Sequence, residues 1–263
     1  MEEIKTLIDE QKLQSRISEI AKQIEEEYKG KEITLICILK GSRNCSLYGE
    51  KVAKEFAFNL AKEEVCIVSG LAKGIDSFSH IGALNAKGKT VAVLGSGLDN
   101  IYPKENLKLV ESIIKNNGLV ISEYPLGTKP LKQNFPARNR IISGLSDGIL
   151  VVEARKNSGT NITVDFALEQ GKDVFVIPGN IYSKTSDGTN FLITEGAIPV
   201  LTYTDILKDL IAFKTLTETL TEENNKLQDK ITTLSDENGS LKNDIAEKNE
   251  TIQKVFELTK PRN

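Results

Sequence analysis

The stretch Gln133-Asn134-Phe135-Pro136-Ala137-Arg138-Asn139-Arg140-Ile141-Ile142-Ser143-Gly144-Leu145-Ser146 crowds an aromatic ring, two guanidinium groups and several amides into the start of one helix. An aromatic face stacks on any base, and arginine presents a fixed fork of donors that fits phosphate. Lys132, just upstream, adds a point charge on a flexible stem. Far upstream, Gly41-Ser42-Arg43 follows the apolar run from Ile33 to Leu39, at the strand-to-loop position where α/β sheets bind anions. Two such clusters on one sheet point to a strand of nucleic acid rather than to a single phosphate. Nothing in this set reads one base from another, so no sequence specificity is expected.

These residues need a scaffold, and its pattern is legible between residues 33 and 201. Short β-branched runs recur, each followed by a glycine-rich or polar loop and a helical stretch: Ile33 to Leu39, Val65 to Ser69, Thr90 to Leu94, Leu119 to Ser122, Ile149 to Val152 and Val174 to Ile177. Almost wholly apolar runs of this length are how strands read in a parallel sheet covered on both faces. Gly41, Gly70, Gly95, Gly97, Gly127, Gly159 and Gly179 lie at or soon after the strand ends, where doubly wound sheets carry their ligand-facing loops. The expected fold is therefore α/β, a Rossmann-like, doubly wound and mostly parallel sheet spanning residues 33–210.

Two further segments flank it. Residues 1–32 read as an amphipathic helix with Leu13, Ile17, Ile20, Ala21 and Ile24 on one face. Residues 211–263 read as a coiled-coil helix: the a positions hold Thr217, Asn224, Ile231, Asn238, Ile245 and Ile252, and the d positions Phe213, Leu220, Leu227, Leu234, Leu241, Lys248 and Val255. Asn at two a positions favours a parallel, in-register dimer, and Glu237 at g reaches Lys242 at the next e position of a partner. A lone amphipathic helix is the alternative, because Gly239 and Lys248 weaken the seam.

Composition sets the limits. The 263 residues, 39% of them apolar, can fill one full core and leave a remainder for an appendage. The apolar runs are strand-sized and the start, Met1-Glu2-Glu3, is acidic where a secretory signal is basic, so a cytoplasmic protein with no membrane partner is expected. Cys37, Cys45 and Cys66 form no Cys-x-x-Cys pair, which leaves neither a zinc site nor a disulfide framework; no metal and no cofactor is expected. The net charge is −3, and residues 41–210 balance 19 Lys/Arg against 18 Asp/Glu. Affinity for nucleic acid must then come from a local basic cluster and fall steeply with salt.

Several ordered motifs carry a resemblance. They are Gly41-Ser42-Arg43 with Tyr48-Gly49, Ser69-Gly70-Leu71-Ala72-Lys73-Gly74-Ile75-Asp76 with His80, Val93-Leu94-Gly95-Ser96-Gly97-Leu98-Asp99 with Tyr102-Pro103, Ser122-Glu123-Tyr124-Pro125, Phe135-Pro136-Ala137-Arg138-Asn139-Arg140-Ile141-Ile142, Val152-Glu153-Ala154 with Ser158-Gly159-Thr160, and Pro178-Gly179-Asn180. From Gly41 to about Leu207 the chain resembles the DNA-processing protein A (DprA or Smf) family. The resemblance implies a protein without turnover that binds single-stranded DNA, protects it and helps load a RecA-like recombinase, as in natural transformation and competence. It also implies a homodimer and a DNA-binding set of Gly41, Ser42, Arg43, Lys132, Phe135, Arg138, Asn139 and Arg140. The family's winged-helix and helical N-terminal domains have no counterpart here, and Lys40 stands where the family has an apolar residue, enlarging the basic pocket or disturbing the strand register. Residues 1–42, ending in Leu39-Lys40-Gly41-Ser42, resemble the N-terminus of hypoxanthine phosphoribosyltransferases, but the acidic loop that transfer requires has no match.

The alternative function is a nucleotide-binding or nucleotide-hydrolysing enzyme of the same superfamily. It rests on Glu153 at a strand end and on candidate phosphate-binding residues Ser69, Gly70, Lys73, Gly95, Gly97, Ser158, Gly159 and Thr160. Ser158-Gly159-Thr160 with Asp165 resembles the helix start of the lonely-guy nucleotide hydrolases, without their paired glycines. Each loop also has a plainer reading as a tight turn. His80, the only histidine, reads as a hydrogen-bonded structural residue, and Asp76 as a helix cap.

Overall fold

The computed structural model describes residues 34–41, 45–156 and 158–258. The expected runs form β1 (Leu35–Gly41), β2 (Cys66–Ser69), β3 (Thr90–Leu94), β4 (Leu119–Ser122), β5 (Gly148–Ala154) and β6 (Asp173–Val176). A further strand, β7 (Ile198–Pro199), lies at the far edge; its two residues are too few to show any periodicity. All neighbours pair in parallel in the order β4-β3-β2-β1-β5-β6-β7. Between them run α1 (Leu47–Lys62), α2 (Ile75–Asn85), α3 (Leu107–Lys115), α4 (Asn134–Leu145), α5 (Thr160–Glu169) and α6 (Asp187–Thr194). This is the doubly wound, Rossmann-like α/β fold that the pattern predicts.

Every residue of β2, β3 and β5 is buried, as strands covered on both faces must be. One core cluster packs Cys37, Leu39, Val68, Val93, Ile149, Val151 and Val176 against Ile142 of α4 and Val164 of α5. Leu71, Ala92, Leu94, Val110 and Ile113 form a second. Cys37 and Cys66 are free, buried thiols, and burial raises the pKa of each, that of Cys66 to about 11, so neither is a ready nucleophile at neutral pH.

Right-handed crossovers send the helices linking β1 to β4 to one face and those linking β4 to β7 to the other. The order reverses at β1, whose neighbours are β2 and β5. The crevice between the carboxyl ends of β1 and β5 is thus the topological switch point, where open α/β sheets bind ligands. The starts of α1 and α5 flank it from opposite faces. Here the β1–β5 ladder slips: Leu39 lies opposite Val151 but Lys40 opposite Glu153. Of the two effects expected at Lys40, the disturbed register is visible in the backbone.

The chain divides into two compact units, one through Ile206 and one from Leu207 onward. The second unit is helical throughout its described residues and continues α7 (Tyr203–Leu258). Leu220, Leu227, Ile231, Leu234, Leu241, Ile245, Ile252 and Val255 are each more than half exposed, and all fall on the a and d positions. No helix among the described residues is long and apolar enough to cross a membrane. The amphipathic helix expected over residues 1–32, the transferase-like piece that ends at Ser42, and Arg43 lie outside the described residues.

Candidate nucleic-acid interface

The two faces of α4 do different work. Asn134, Arg138 and Ile142, spaced by four, point inward and are buried. Arg138 is only 4% exposed: Nη1 donates to Gly70 O at 2.8 Å and to Val93 O, while Nε donates to Asn139 Oδ1 at 3.2 Å. Burial pulls its pKa down, and the charge of Asp76 opposes that pull. The expected phosphate contact from Arg138 is therefore corrected, because helical periodicity carries this guanidinium under the sheet ends, where it ties β2 to β3. Asn139 is also engaged, its Nδ2 donating to Thr163 Oγ1 of α5 at 2.8 Å.

The outer face holds the accessible groups. Phe135 is half-buried, and its ring meets Tyr102 with centroids 5.6 Å apart and planes tilted by 46°. Tyr102 remains 52% exposed. Gly95, at the end of β3, makes the seat: a Cβ there would stand 3.0 Å from Phe135 Cδ1, tighter than packing tolerates. Lys132 is exposed beside this pair. Arg140 is exposed too and forms an ion pair with Glu123. The pairing of Phe135 with Tyr102 escapes sequence reasoning because 33 residues of chain separate the two rings; the Tyr102-Pro103 motif was its only trace.

The remaining candidates are distributed differently. Ser69 Oγ donates to Ile38 O at 2.8 Å inside the sheet. Gly70 N–H donates to Asp76 Oδ2 at 3.2 Å, as does Ala72 N–H at 3.3 Å. Asp76 thus braces the loop before α2 rather than capping the helix, whose N-cap is Gly74. Lys73 pairs with Glu105 at 2.6 Å on the open surface. Gly97 N–H donates to Thr128 O at 3.0 Å and Asp99 accepts from Gly127 N–H at 2.9 Å, so the loops after β3 and β4 are laced together.

At the switch point, Glu153 is buried at the end of β5. It accepts from Ser46 Oγ and from Ser46 N–H at 3.3 Å, while Ser46 Oγ accepts from Gly49 N–H at 2.9 Å as the N-cap of α1. One carboxylate therefore occupies the positive end of α1. Across the crevice, Gly159 is the N-cap of α5, and that helix start has no side-chain cap. Ser158 and Thr160 flank it.

A doubly wound parallel sheet with aromatic and basic side chains at its carboxyl edge defines an α/β protein whose ligand face lies along that edge. The profile of the family described as DNA recombination-mediator protein A matches residues 27–211, and the chain belongs to that family. It is 51% identical over 169 residues to the DNA processing protein DprA of Streptococcus pneumoniae, covering 64% of this chain and 59% of the relative. It is 48% identical over 170 residues to the protein Smf of Escherichia coli, covering 65% and 46%. The chain thus spans about half the length of the curated relatives it matches. Among solved structures it resembles the Streptococcus pneumoniae DprA, with TM-score 0.62 and 47% identity over 67% of this chain and 61% of that one. The Helicobacter pylori DNA processing protein A, described with a single-stranded DNA binding mode, matches with TM-score 0.62 and 32% identity over 68% of this chain and 80% of that one.

Proposed function

We propose that this chain binds single-stranded DNA without turnover and acts as a recombination mediator, protecting the strand and helping a RecA-like recombinase load onto it in natural transformation. The observation that carries the reading is the exposed Tyr102–Phe135 pair seated on Gly95, with Lys132 beside it. Stacking on either ring tolerates any base, and exposed cations follow the phosphates. Arg140 joins the set by exchanging Glu123 for phosphate, and Arg43, Ser42 and Gly41 extend it at the end of β1. Asn139 and Arg138 support the platform from beneath. Membership of the family and the DNA-binding relative from Helicobacter pylori support the same reading. A protein of this kind works in the cytoplasm.

The hydrolytic alternative asks for a free carboxylate over the loops, and the carboxylate at the strand end, Glu153, is held by Ser46. Binding without turnover is the better account. Homodimerisation completes the proposal: the apolar seam of α7 pairs in parallel with a second copy, setting Asn224 and Asn238 across from their counterparts.

Anisotropy of a labelled oligo-dT is the direct test. Tyr102→Ala and Lys132→Ala should each weaken binding with the fold intact. Unaltered affinity in the double variant would remove this surface from the proposal.

A further inference from the structure

The two helix starts at the switch point differ in one respect. The start of α1 holds an anion of the protein's own, the carboxylate of Glu153. The start of α5 holds none and has no side-chain cap. Thr160, its first residue, is 3% exposed, and its Oγ1 is buried without a hydrogen-bond partner. Ser158 Oγ is buried and unpartnered as well. Leaving one such hydroxyl orphaned is costly, and two at one helix start are rarer still. Side chains in the first turn lean back toward the N-terminus, so Thr160 aims its hydroxyl at the helix start. Space is present there: a Cβ added to Gly159 would meet no atom within 4 Å. The loop leading into the helix supplies Arg155, exposed and positively charged.

We infer that the start of α5 is a second anion site that takes a phosphate monoester, with the hydroxyls of Ser158 and Thr160 as donors. Helix N-termini favour a doubly charged group because unpaired N–H groups and the helix dipole both converge on it. The monoester of a free mononucleotide and the terminal phosphate of a DNA strand present the same chemistry. A phosphodiester inside a strand carries less charge and two ester oxygens, so it is the weaker ligand. The site lies on the other side of β1 from the Tyr102–Phe135 pair, which sits at β3, and does not depend on the stacking surface.

Titration calorimetry with the full chain tests this, using inorganic phosphate, thymidine monophosphate, and oligo-dT of one length with either a 5′-phosphate or a 5′-hydroxyl. Thr160→Val keeps the shape and removes the hydroxyl; Ser158→Ala does the same at its neighbour. The wild type should bind phosphate and the monophosphate, and the double variant should bind them about ten-fold or more weakly. The melting temperature of Thr160→Val should rise or hold, because an unpartnered buried hydroxyl has been replaced by a methyl. Preference for the 5′-phosphorylated oligonucleotide in wild type, lost in the variant, identifies a strand end as the ligand; equal binding of both oligonucleotides with retained monophosphate binding identifies the free nucleotide. Absence of phosphate and monophosphate binding in the wild type, or equal binding in the double variant, overturns the site. Binding of the 5′-hydroxyl oligo-dT reports the stacking surface separately, so the two proposals fail independently.

Discussion

The imidazole of His80 is held in a single tautomer. Thr90 Oγ1 gives its own proton to Ile67 O at 2.6 Å, so at 2.7 Å from Nδ1 it can only accept, and the ring carries its proton on Nδ1. Burial, aided by the charge of Arg138, pushes its pKa down to about 3. The unfolded chain takes up a proton near pH 6.5 and the folded one does not, so stability is complete above about 6.5 and declines as the pH falls toward 3, by roughly 1 kcal/mol per pH unit. Since this is the only histidine, its ring resonance in the native protein should stay fixed between about pH 8 and about pH 5, and a shift there would disprove the assignment. Arg138 is the second residue whose surroundings decide its role. Arg138→Leu leaves Asp76 buried beside an apolar group and should cost about 3 to 5 kcal/mol in denaturant unfolding. A variant as stable as wild type that has lost DNA binding would return Arg138 to the interface.

At the scale of the element, α4 explains both what the sequence disclosed and what it concealed. Its composition announced a base-and-phosphate surface, and Phe135 and Arg140 lie on the outer side. The same composition hid that Arg138 faces inward, because periodicity over one short helix fixes which residues share a face but not which face meets the sheet. Phe135→Ala should weaken oligo-dT binding by about 1 to 3 kcal/mol through the lost stacking face. Some stability goes with it, since the ring packs on Gly95, so affinity must be measured on the folded fraction; retention there would make the ring purely structural. The strands were legible because two covered faces demand uninterrupted apolar runs, whereas β7, with two residues, leaves no such imprint. The helix α7 was legible for the opposite reason, its apolar residues being confined to one stripe. Removing residues 213–263 should lower the association state in sedimentation while the sheet remains folded, and an unchanged state would identify a lone helix.

Across the whole molecule, a net charge of −3 gives no general attraction to nucleic acid, so binding depends on a few cations at the carboxyl edge. The logarithm of affinity should then fall against the logarithm of salt with a slope of about −0.7 per phosphate contacted, and a flat response would exclude a strand as the ligand. The strand order also dictates a sequence of events in time. β1 has β2 as one neighbour and β5 as the other, and the contact that closes the second side, Leu35 N–H to Asp147 Oδ2 at 2.7 Å, joins residues 112 apart. A nascent chain that has left the ribosome only as far as α4 can assemble β4-β3-β2-β1, with β1 as its naked outer edge. That edge carries Ile36, Cys37, Ile38 and Leu39, among the most deeply buried residues of the finished protein. Such a strand is a template for pairing with another chain. Until β5 is made, the strand that ends as the centre of the sheet is therefore its most aggregation-prone margin, and chains cut short after Leu145 should precipitate where the full chain does not.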